Sequence, residues 1–416
     1  MPSFNSKQQT ILSVILVLVF VLLPGGCSTD GSHGQRAALT PETDQQKSTG
    51  TPRLAVWLAK KNELLTTQDA RYDLVMSGWF ESHEAQFLKA RDENSKLLAG
   101  LSHTWIMDDP DWLEFLITIA NGGDVHGPLQ VTPDMYLMLD KDQDGSLDSP
   151  CSPPGWQNIK AVDPRHLGWQ QLILSFYTNA AVQSQHDGVV IDMLDAYPFC
   201  EGAWSGGVTE ALDATAWVAA QAELLRLLQK QLPEGKWMIA NAGHDFSVDS
   251  PFPQYLNGYL LENFLGSWGA NLEEGLASAQ RALESTRTPH LVIFAVDTDD
   301  NGEINWARFR SGLAASLLLD NTYFAFDYGS RDHGGVAQWW FVDYYSIDLG
   351  NALGAYIYDN GIYRRDFKNG TIVIVSQNDA FVQFIEPHQD VFSKEINTRF
   401  DIPQGDAGFF LKIQED

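Results

Sequence analysis

Basic residues are scarce in this sequence of 416 residues, which carries 27 Lys and Arg against 54 Asp and Glu, for a net charge of −27. A protein that binds nucleic acid needs a basic surface to neutralise phosphates. Here Lys and Arg gather only in short pairs such as Arg364-Arg365. The composition therefore argues against nucleic acids and polyanionic glycans as partners.

The signature motifs of several enzyme classes are also absent. The sequence has no G-x-S-x-G elbow for acyl transfer, no H-E-x-x-H zinc motif and no Walker loop. His103, His186 and His244 stand near predicted strand or loop ends, but their spacing does not suit a metal site. We interpret them as internally satisfied or surface histidines.

The amino terminus predicts a secretory signal over residues 1–27. Its apolar run, Ile11–Leu23, is interrupted by Ser13 and is too short to span a bilayer comfortably. The ending Gly25-Gly26-Cys27 resembles a bacterial lipoprotein box, although Pro24 stands where a Leu is usual. We expect lipidation of Cys27 and a place in the bacterial cell envelope, facing the periplasm or on the outer membrane. Ordinary cleavage with secretion, or an uncleaved anchor, is the alternative.

Cysteine is rare, with three residues in the chain. If Cys27 carries lipid, Cys151 and Cys200 are left as a pair. In an oxidising compartment this pair could form a disulfide, and two free thiols are the alternative because spacing does not show whether they meet.

Residues 28–52 are polar and without periodicity, which predicts a flexible linker. After the linker, short apolar runs alternate with helical patterns such as Val208–Leu232, Leu272–Arg287 and Trp306–Leu319. This alternation predicts an α/β fold with a parallel sheet, and eight strands favour a closed (β/α)8 TIM barrel over residues 53–352. An open doubly wound sheet is the alternative, but no Gly-rich phosphate loop supports it. The predicted strands are Leu54–Leu58, Tyr72–Ser77, Lys96–Leu101, Gly188–Asp192, Trp237–Asn241, Gly258–Glu262, His290–Val296 and Thr322–Asp327.

Two further segments depart from the barrel pattern. An insertion of about residues 103–163 separates the third and fourth strands and is too long for a plain connection. From residue 353 to 416 the pattern changes to short β runs (AYIYD, TIVIVS, AFVQFI, GFFLKI) with turns between them. We expect a small C-terminal antiparallel β domain.

Carboxylates and amides end the later predicted strands. The fourth ends in Asp192 with Asp195 beyond it, the fifth in Asn241, the sixth in Glu262, the seventh in Asp297 and the eighth in Asp327. Barrel enzymes place their active sites at the carboxyl ends of the strands. Ionised groups in a partly dry pocket are costly unless bonded or used, so this ring is a candidate site. The alternative is that single acids cap the following helices.

Two carboxylates across a pocket suit cleavage of a glycosidic bond, which needs one protonated and one ionised group. The chain also carries 13 Trp, 13 Tyr and 22 Phe, and flat aromatic faces stack well on sugar rings. Trp105, Trp268 and Tyr197 follow predicted strands and are candidate sugar platforms or core residues.

The order of four motifs strengthens this interpretation: DGVVIDMLD (187–195), IANAG (239–243), NGYLLENF (257–264) and DLGNALG (348–354). Over about residues 53–354 the chain resembles the glycoside-hydrolase barrels of the hypothetical glycosyl hydrolase type. It is more distantly similar to polygalactosaminidase-like barrels. The resemblance implies that Asp192 is the nucleophile and Glu262 the acid/base. We expect Asn241 to hold a sugar hydroxyl or orient a carboxylate, Asp195 to bind substrate or tune Asp192, and Asp327 to bind substrate. A competing assignment makes Asp192 or Asp195 the acid and Asp297 the base.

Two acidic stretches imitate calcium loops. The first, residues 140–148, places Asp140, Asp142, Asp144 and Asp148 at ligand positions of an EF-hand-like loop. The second, residues 297–305, repeats part of the pattern. Cys151 and Arg308 stand where the closing Glu belongs, so weak calcium binding and plain acidic turns both stay open. We expect that no cofactor is required, and calcium at these loops is the one open alternative.

Taken together, the residues predict a monomeric envelope glycoside hydrolase acting on a polysaccharide or oligosaccharide. The rival hypothesis is a non-catalytic carbohydrate-binding lipoprotein on the same fold, because fold does not decide function. A structural envelope protein without a sugar ligand is a third hypothesis.

Overall fold

A computed structural model describes residues 50–413, except 59–60, 68–70, 77, 141–143, 145, 148, 184, 195–199, 201–213, 244–249 and 330–341. Among the candidate site residues and histidines of the preceding section, Cys27, Asp142, Asp148, Asp195, Tyr197 and His244 lie outside the described residues. The predicted domain boundaries, the signal peptide and the linker stay predictions.

The chain up to residue 326 contains the strands of the barrel and of the insertion. In order these are β1 (Leu54–Trp57), β2 (Leu74–Met76), β3 (Lys96–Ser102), β4 (Trp105–Met107), β5 (Met138–Leu139), β6 (Ser149–Pro150), β7 (Ile159–Ala161), β8 (Gly188–Asp192), β9 (Trp237–Asn241), β10 (Gly258–Leu261), β11 (Leu291–Val296) and β12 (Thr322–Phe326). Strands β1–β3 and β8–β12 form a closed parallel barrel in the order β1-β12-β11-β10-β9-β8-β3-β2. The predicted (β/α)8 barrel is confirmed.

Helices cover the outside of the barrel. They are α1 (Lys61–Thr66), α2 (Ser82–Arg91), α3 (Pro110–Ala120), α4 (Leu167–Gln183), α5 (Ala214–Gln231), α6 (Leu272–Ser285) and α7 (Trp306–Leu318), with a short helix at Val342–Tyr345 and 3-10 turns at Pro133–Met135 and Pro253–Tyr255. Because the strands are covered on both faces, they are apolar almost throughout, and β11 and β12 are buried at every position. No helix in the described part of the chain is long and apolar enough to cross a bilayer.

The barrel interior is filled by alternate residues of its strands. Val190, Ile239, Leu260, Ala295 and Ala325 belong to one buried cluster at its centre. Side chains two residues apart on a strand point to the same face. Asp192, Asn241 and Glu262 follow Val190, Ile239 and Leu260 by two residues each, so they lie on the same interior face, at the carboxyl mouth of the barrel.

The insertion between β3 and β8 consists of α3 and two small antiparallel pairs, β4 with β7 and β5 with β6. Cys151, next to β6, forms a disulfide with Cys200, and their Cα atoms are 5.2 Å apart. Cys200 belongs to the connection that follows β8. The disulfide thus ties the insertion to the segment beyond Asp192.

The C-terminal region is a six-stranded antiparallel sheet in the order β13-β14-β15-β18-β16-β17. Its strands are β13 (Ile357–Asp359), β14 (Ile362–Asp366), β15 (Gly370–Val375), β16 (Ala380–Asp390), β17 (Ile396–Ile402) and β18 (Ala407–Lys412). The expected β domain is confirmed, although sequence patterns identified only four of its strands. The unpredicted strands β14 and β17 carry charged residues at exposed or half-buried positions, which weakens their apolar signal.

This sheet packs on α7 of the barrel. Ile372, Ile374 and Phe409 share a continuous hydrophobic core with α7 residues. Arg310 of α7 pairs with Asp406 at 2.5 Å, with side chains 24% and 13% exposed. Arg364 and Arg365, the basic pair noted in the sequence, do not form an exposed binding patch. Arg365 is buried, and its guanidinium donates to the Leu317 carbonyl at 2.9 Å.

Candidate active site

Three of the predicted site residues meet at the carboxyl ends of the adjacent strands β8, β9 and β10. The Nδ2 atom of Asn241 donates to Asp192 Oδ1 at 3.0 Å and to Glu262 Oε2 at 2.9 Å. Asn241 itself is 4% exposed, and both carboxylates are half-buried. One amide group therefore links the two carboxylates to which the resemblance assigns catalytic roles.

The orientation of the Asn241 amide follows from its other contact. Its Oδ1 accepts a hydrogen bond from the Gly243 backbone N–H at 3.0 Å. A backbone N–H can only donate, so the oxygen must face Gly243 and the NH2 group must face the carboxylates. The backbone carbonyl of Asn241 also accepts from Leu194 N at 2.9 Å, and Gly243 O accepts from Glu262 N at 2.9 Å. The three strand ends are thus tied together through Asn241 and Gly243.

The contact geometry sets the spacing of the two carboxylates. With ideal amide geometry, in which the two N–H bonds diverge by about 120°, contacts of 3.0 and 2.9 Å correspond to about 5 Å between Asp192 Oδ1 and Glu262 Oε2. This spacing leaves room for a sugar carbon and its leaving oxygen between the carboxylates.

The backbone turns sharply after each of these carboxylates. Met193 follows Asp192 with a φ of 54°, and Asn263 follows Glu262 with a φ of 48°. Asn tolerates this left-handed region, whereas for Met it is uncommon and costs about 1–3 kcal/mol. The Met193 N–H donates to Asp192 Oδ1 at 2.9 Å. Strained backbone of this kind clusters at functional sites, and here it directs the Asp192 carboxylate.

Asp297 and Asp327 form a second acidic group, at the ends of the adjacent strands β11 and β12. Both residues are buried. Burial, helped by the charges of Asp299 and Asp327, raises the pKa of Asp297 to about 6, against the opposing effects of the hydrogen bond from the Asp299 backbone N–H and of Arg308. Burial and the charge of Asp327 likewise raise the pKa of Tyr72. Asp297 can therefore exchange a proton near neutral pH.

The aromatic candidates differ in their surroundings. Trp105 is 2% exposed and packs against Trp217 and the Cys151–Cys200 disulfide, which places it in the core rather than on an open surface. Trp268 is 42% exposed in the loop after β10 and has the exposure that a sugar platform needs. Of the two predicted platforms that the structure describes, Trp268 has the exposure that suits stacking.

Three residues near the site were not singled out from the sequence. Tyr177 of α4 donates to the Leu101 carbonyl, and burial together with the charge of Asp192 raises its pKa. Trp306, 39% exposed, begins α7 on the side of the barrel mouth. Arg308 pairs with Asp299 at 2.6 Å. Trp306 follows a loop at a strand end, and this position could have identified it as a candidate from the sequence. Tyr177 contacts Leu101, which is distant in sequence, and the contact of Arg308 with Asp299 depends on the turn that joins them.

The two described histidines of the sequence analysis are core residues. Burial lowers the pKa of His103 to about 3 and that of His186 to about 4. His186 Nε2 accepts from the Phe80 backbone N–H at 3.3 Å. Both rings are therefore neutral at physiological pH.

The first acidic loop is described in part. Asp140 Oδ1 accepts from Asp144 N at 3.1 Å, and Asp144 Oδ1 accepts from Ser146 N at 2.7 Å. Within the described ranges no three His, Cys, Asp or Glu side chains are grouped as a metal site, while Asp142 and Asp148 lie outside those ranges. Calcium at this loop stays a prediction.

In the second acidic loop, the candidate ligands make other contacts. Asn301 accepts from Glu303 N at 2.7 Å and Asn305 caps α7 by accepting from Arg308 N at 3.1 Å. The Arg308 guanidinium bonds Asp299 at 2.6 Å. These contacts fit the acidic-turn interpretation of residues 297–305.

Comparisons with known proteins identify the family to which the chain is similar. Residues 139–371, more than half of the chain, match the model of a family described as hypothetical glycosyl hydrolase family 15. This match confirms the resemblance predicted from the sequence motifs. No curated protein matches the chain.

Several solved structures match the chain at low identity, with TM-scores below 0.5. The glycoside hydrolase domain of PelA from Pseudomonas aeruginosa has 16% identity and a TM-score of 0.41, covering 66% of this chain and 95% of that chain. Ega3 from Aspergillus fumigatus, in complex with galactosamine, has 11% identity and a TM-score of 0.44, covering 70% and 97%. Isomalto-dextranase from Arthrobacter globiformis T6, complexed with panose, has 11% identity and a TM-score of 0.48, covering 89% and 75%.

Proposed function

Because the chain belongs to hypothetical glycosyl hydrolase family 15, we propose that it cleaves a polysaccharide or oligosaccharide by a retaining mechanism, with Asp192 as nucleophile and Glu262 as acid/base. The supporting observation is the Asn241 amide, which bonds both carboxylates. Retaining glycosidases hold their two carboxyl groups about 5–5.5 Å apart, whereas inverting enzymes need about 6.5–9.5 Å to admit a water. The spacing of about 5 Å inferred from the Asn241 contacts favours the retaining geometry.

In the first step, Asp192 attacks the anomeric carbon while Glu262 gives its proton to the departing glycosidic oxygen. The C–O bond to the leaving group breaks and a covalent glycosyl ester forms on Asp192. In the second step, Glu262 takes a proton from water as the water oxygen attacks the same carbon. The ester bond breaks, Asp192 is released as a carboxylate, and the sugar keeps its anomeric configuration.

Asn241 would hold the two carboxylates in register during both steps. Its amide cannot ionise, so it can donate to Asp192 and Glu262 whichever of the two carries charge. Hydrogen bonds to charged groups contribute about 1.5–3 kcal/mol each. Asn241 is therefore an orienting residue in this mechanism, and Trp268 is the proposed platform for a sugar ring.

An inverting reaction with Asp297 as base is the second candidate, because Asp297 is buried at the same mouth and its pKa is raised to about 6. A third candidate, the carbohydrate-binding protein without turnover, would use the same residues at the barrel mouth. All three place the substrate over the carboxyl ends of the barrel strands.

The deciding experiment is hydrolysis of a panel of neutral and amino-sugar polysaccharides by the full chain, beside Asp192→Asn and Glu262→Gln. Asp366→Asn is the matched control, since its pair with Arg364 lies in the C-terminal sheet with side chains 38% and 40% exposed. We expect both site variants to lose turnover and the control to keep it. Proton NMR of the first product then gives the anomer. An inverted product would exclude the retaining mechanism, and binding without turnover by all forms would favour the binding protein.

The cell envelope, reached through the signal at residues 1–27 and a lipid on Cys27, is the proposed location. The supporting observation is the apolar run followed by the lipoprotein-like Gly-Gly-Cys ending. Metabolic labelling with a radioactive fatty acid, compared between the wild type and Cys27→Ser, tests this proposal.

A further inference from the structure

Asp299 connects the loop that follows Glu262 to the first turn of α7. Its Oδ1 accepts from the Ser267 backbone N–H at 2.9 Å and from Asn263 Nδ2 at 3.2 Å. Its Oδ2 accepts from Arg308 Nη2 at 2.6 Å. The two oxygens of one carboxylate thus bind two different elements of the barrel mouth.

The loop held by Asp299 is closely packed around Asn263, the residue directly after Glu262. Asn263 is fully buried and has a φ of 48°. A Cβ on Gly266 would lie 1.1 Å from Asn263 Oδ1, and a Cβ on Gly269 would lie 1.7 Å from the Asn263 carbonyl oxygen. The loop can therefore close over Asn263 only with glycine at both positions, and it packs around the residue that directly follows Glu262.

The charge on Asp299 is maintained by its surroundings. Burial alone would raise its pKa, but the hydrogen bonds from Arg308 and Ser267 outweigh burial and lower the pKa to about 2. An ionised carboxylate is a stronger acceptor than a neutral group. Arg308 is in turn held in place, because its backbone N–H donates to the Asn305 cap of α7 and its Nη1 donates to the Asp297 carbonyl at 3.3 Å.

We propose that Asp299 is a positioning residue for Glu262, which it holds in line with Asn241 through Asn263 and the Ser267 backbone. The inference rests on the proposed role of Glu262 as the acid/base. Asp299 does not need to touch the substrate, since its contacts end on the loop and on Arg308. Its loss should impair proton transfer by Glu262 more than attack by Asp192.

Leaving-group dependence separates these two effects. A 2,4-dinitrophenyl glycoside leaves without protonation, whereas a phenyl glycoside needs the acid. General acid catalysis contributes about 10²–10⁴-fold, and a misplaced group loses much of this. We therefore expect Asp299→Ala to lower kcat/KM by about 10²-fold for the phenyl glycoside and by less than about 3-fold for the dinitrophenyl glycoside.

The test uses both aryl glycosides of the sugar that the wild type hydrolyses among α- and β-glucosides, galactosides and N-acetylglucosaminides. Asp299→Asn should be less impaired than Asp299→Ala, because its amide oxygen can still accept from Ser267 and Asn263. The matched control is Asp406→Asn, which removes the charge that pairs with Arg310 of the same helix α7 at a similar distance of 2.5 Å. This control should lose stability without any change in leaving-group dependence.

Equal slowing of both glycosides by Asp299→Ala, with Glu262→Gln still selective for the activated one, would overturn the inference and leave the proposed function intact. Absence of selectivity in Glu262→Gln would overturn both. Crystal structures provide a readout without substrate. We expect the Asn241–Glu262 bond of 2.9 Å to be lost in Asp299→Ala and kept in Asp406→Asn, and an unchanged bond in Asp299→Ala would refute positioning.

Discussion

Asp297 and Asp299 lie two residues apart on one loop, yet their replacement by Asn should change stability in opposite directions. The pKa of Asp297 is raised to about 6 by burial and neighbouring charges, from an ordinary 3.8. The pKa of Asp299 is lowered to about 2 because hydrogen bonds from Arg308 and Ser267 outweigh burial. Ionisation therefore destabilises the fold at Asp297 and stabilises it at Asp299.

The magnitudes follow from the difference between folded and unfolded pKa values, at 1.36 kcal/mol for each pH unit. Asp297 contributes stability that is present below pH 4 and is lost as pH rises through 6, a change of about 3 kcal/mol. Asp299 contributes about 2 kcal/mol that is present above pH 4 and is lost as pH falls through 2. At pH 7 we expect Asp297→Asn to raise the free energy of unfolding by up to about 3 kcal/mol and Asp299→Asn to lower it by up to about 2 kcal/mol.

Urea denaturation followed by tryptophan fluorescence between pH 4 and 8 measures both effects. The gain in free energy of unfolding from Asp297→Asn should grow from pH 4 to 6, because over this range Asp297 ionises more readily in the unfolded chain than in the folded one. Above pH 6 the gain should stay constant, since Asp297 is then ionised in both states and the Asn side chain does not ionise. The charge of Asp299 is itself one cause of the raised pKa of Asp297, so the double variant should not be additive. A loss of stability in Asp297→Asn at pH 7, or a gain that does not vary with pH, would refute the reasoning.

Two further predictions concern the site and the insertion. Asn241→Ala removes two hydrogen bonds to carboxylates at 2.9 and 3.0 Å, so we expect kcat to fall by about 10²–10⁴-fold with little change in KM. Steady-state kinetics on any hydrolysed glycan measures this change. A fall in kcat of less than about 3-fold would contradict the expectation. Replacing both Cys151 and Cys200 by Ser opens a cross-link between residues 49 apart and should lower the free energy of unfolding by about 4 kcal/mol. Non-reducing calorimetry measures the loss, and an unchanged unfolding temperature would show that the disulfide does not constrain the unfolded chain.

The local pattern of the sequence determined the barrel and the identity of its strand-end residues. Each barrel strand is an apolar run of a few residues. Such a run, and its periodicity, depends only on residues that are neighbours in the chain, so it can be identified from the sequence. The same alternation of period two that fills the interior with Val190, Ile239 and Leu260 directs Asp192, Asn241 and Glu262 to the mouth. The ring of candidate residues could therefore be predicted before any contact was known, whereas the choice of Asp192 and Glu262 as the pair came from the family resemblance.

Only the tertiary structure decided which of these polar groups touch. Closure of the barrel brings β8, β9 and β10 side by side, so that Asn241 reaches two carboxylates from strands far apart in sequence. It also buries Trp105 beside the disulfide and turns Arg308 toward Asp299. These distances depend on strand register, helix packing and loop path together, and no single stretch of sequence specifies them.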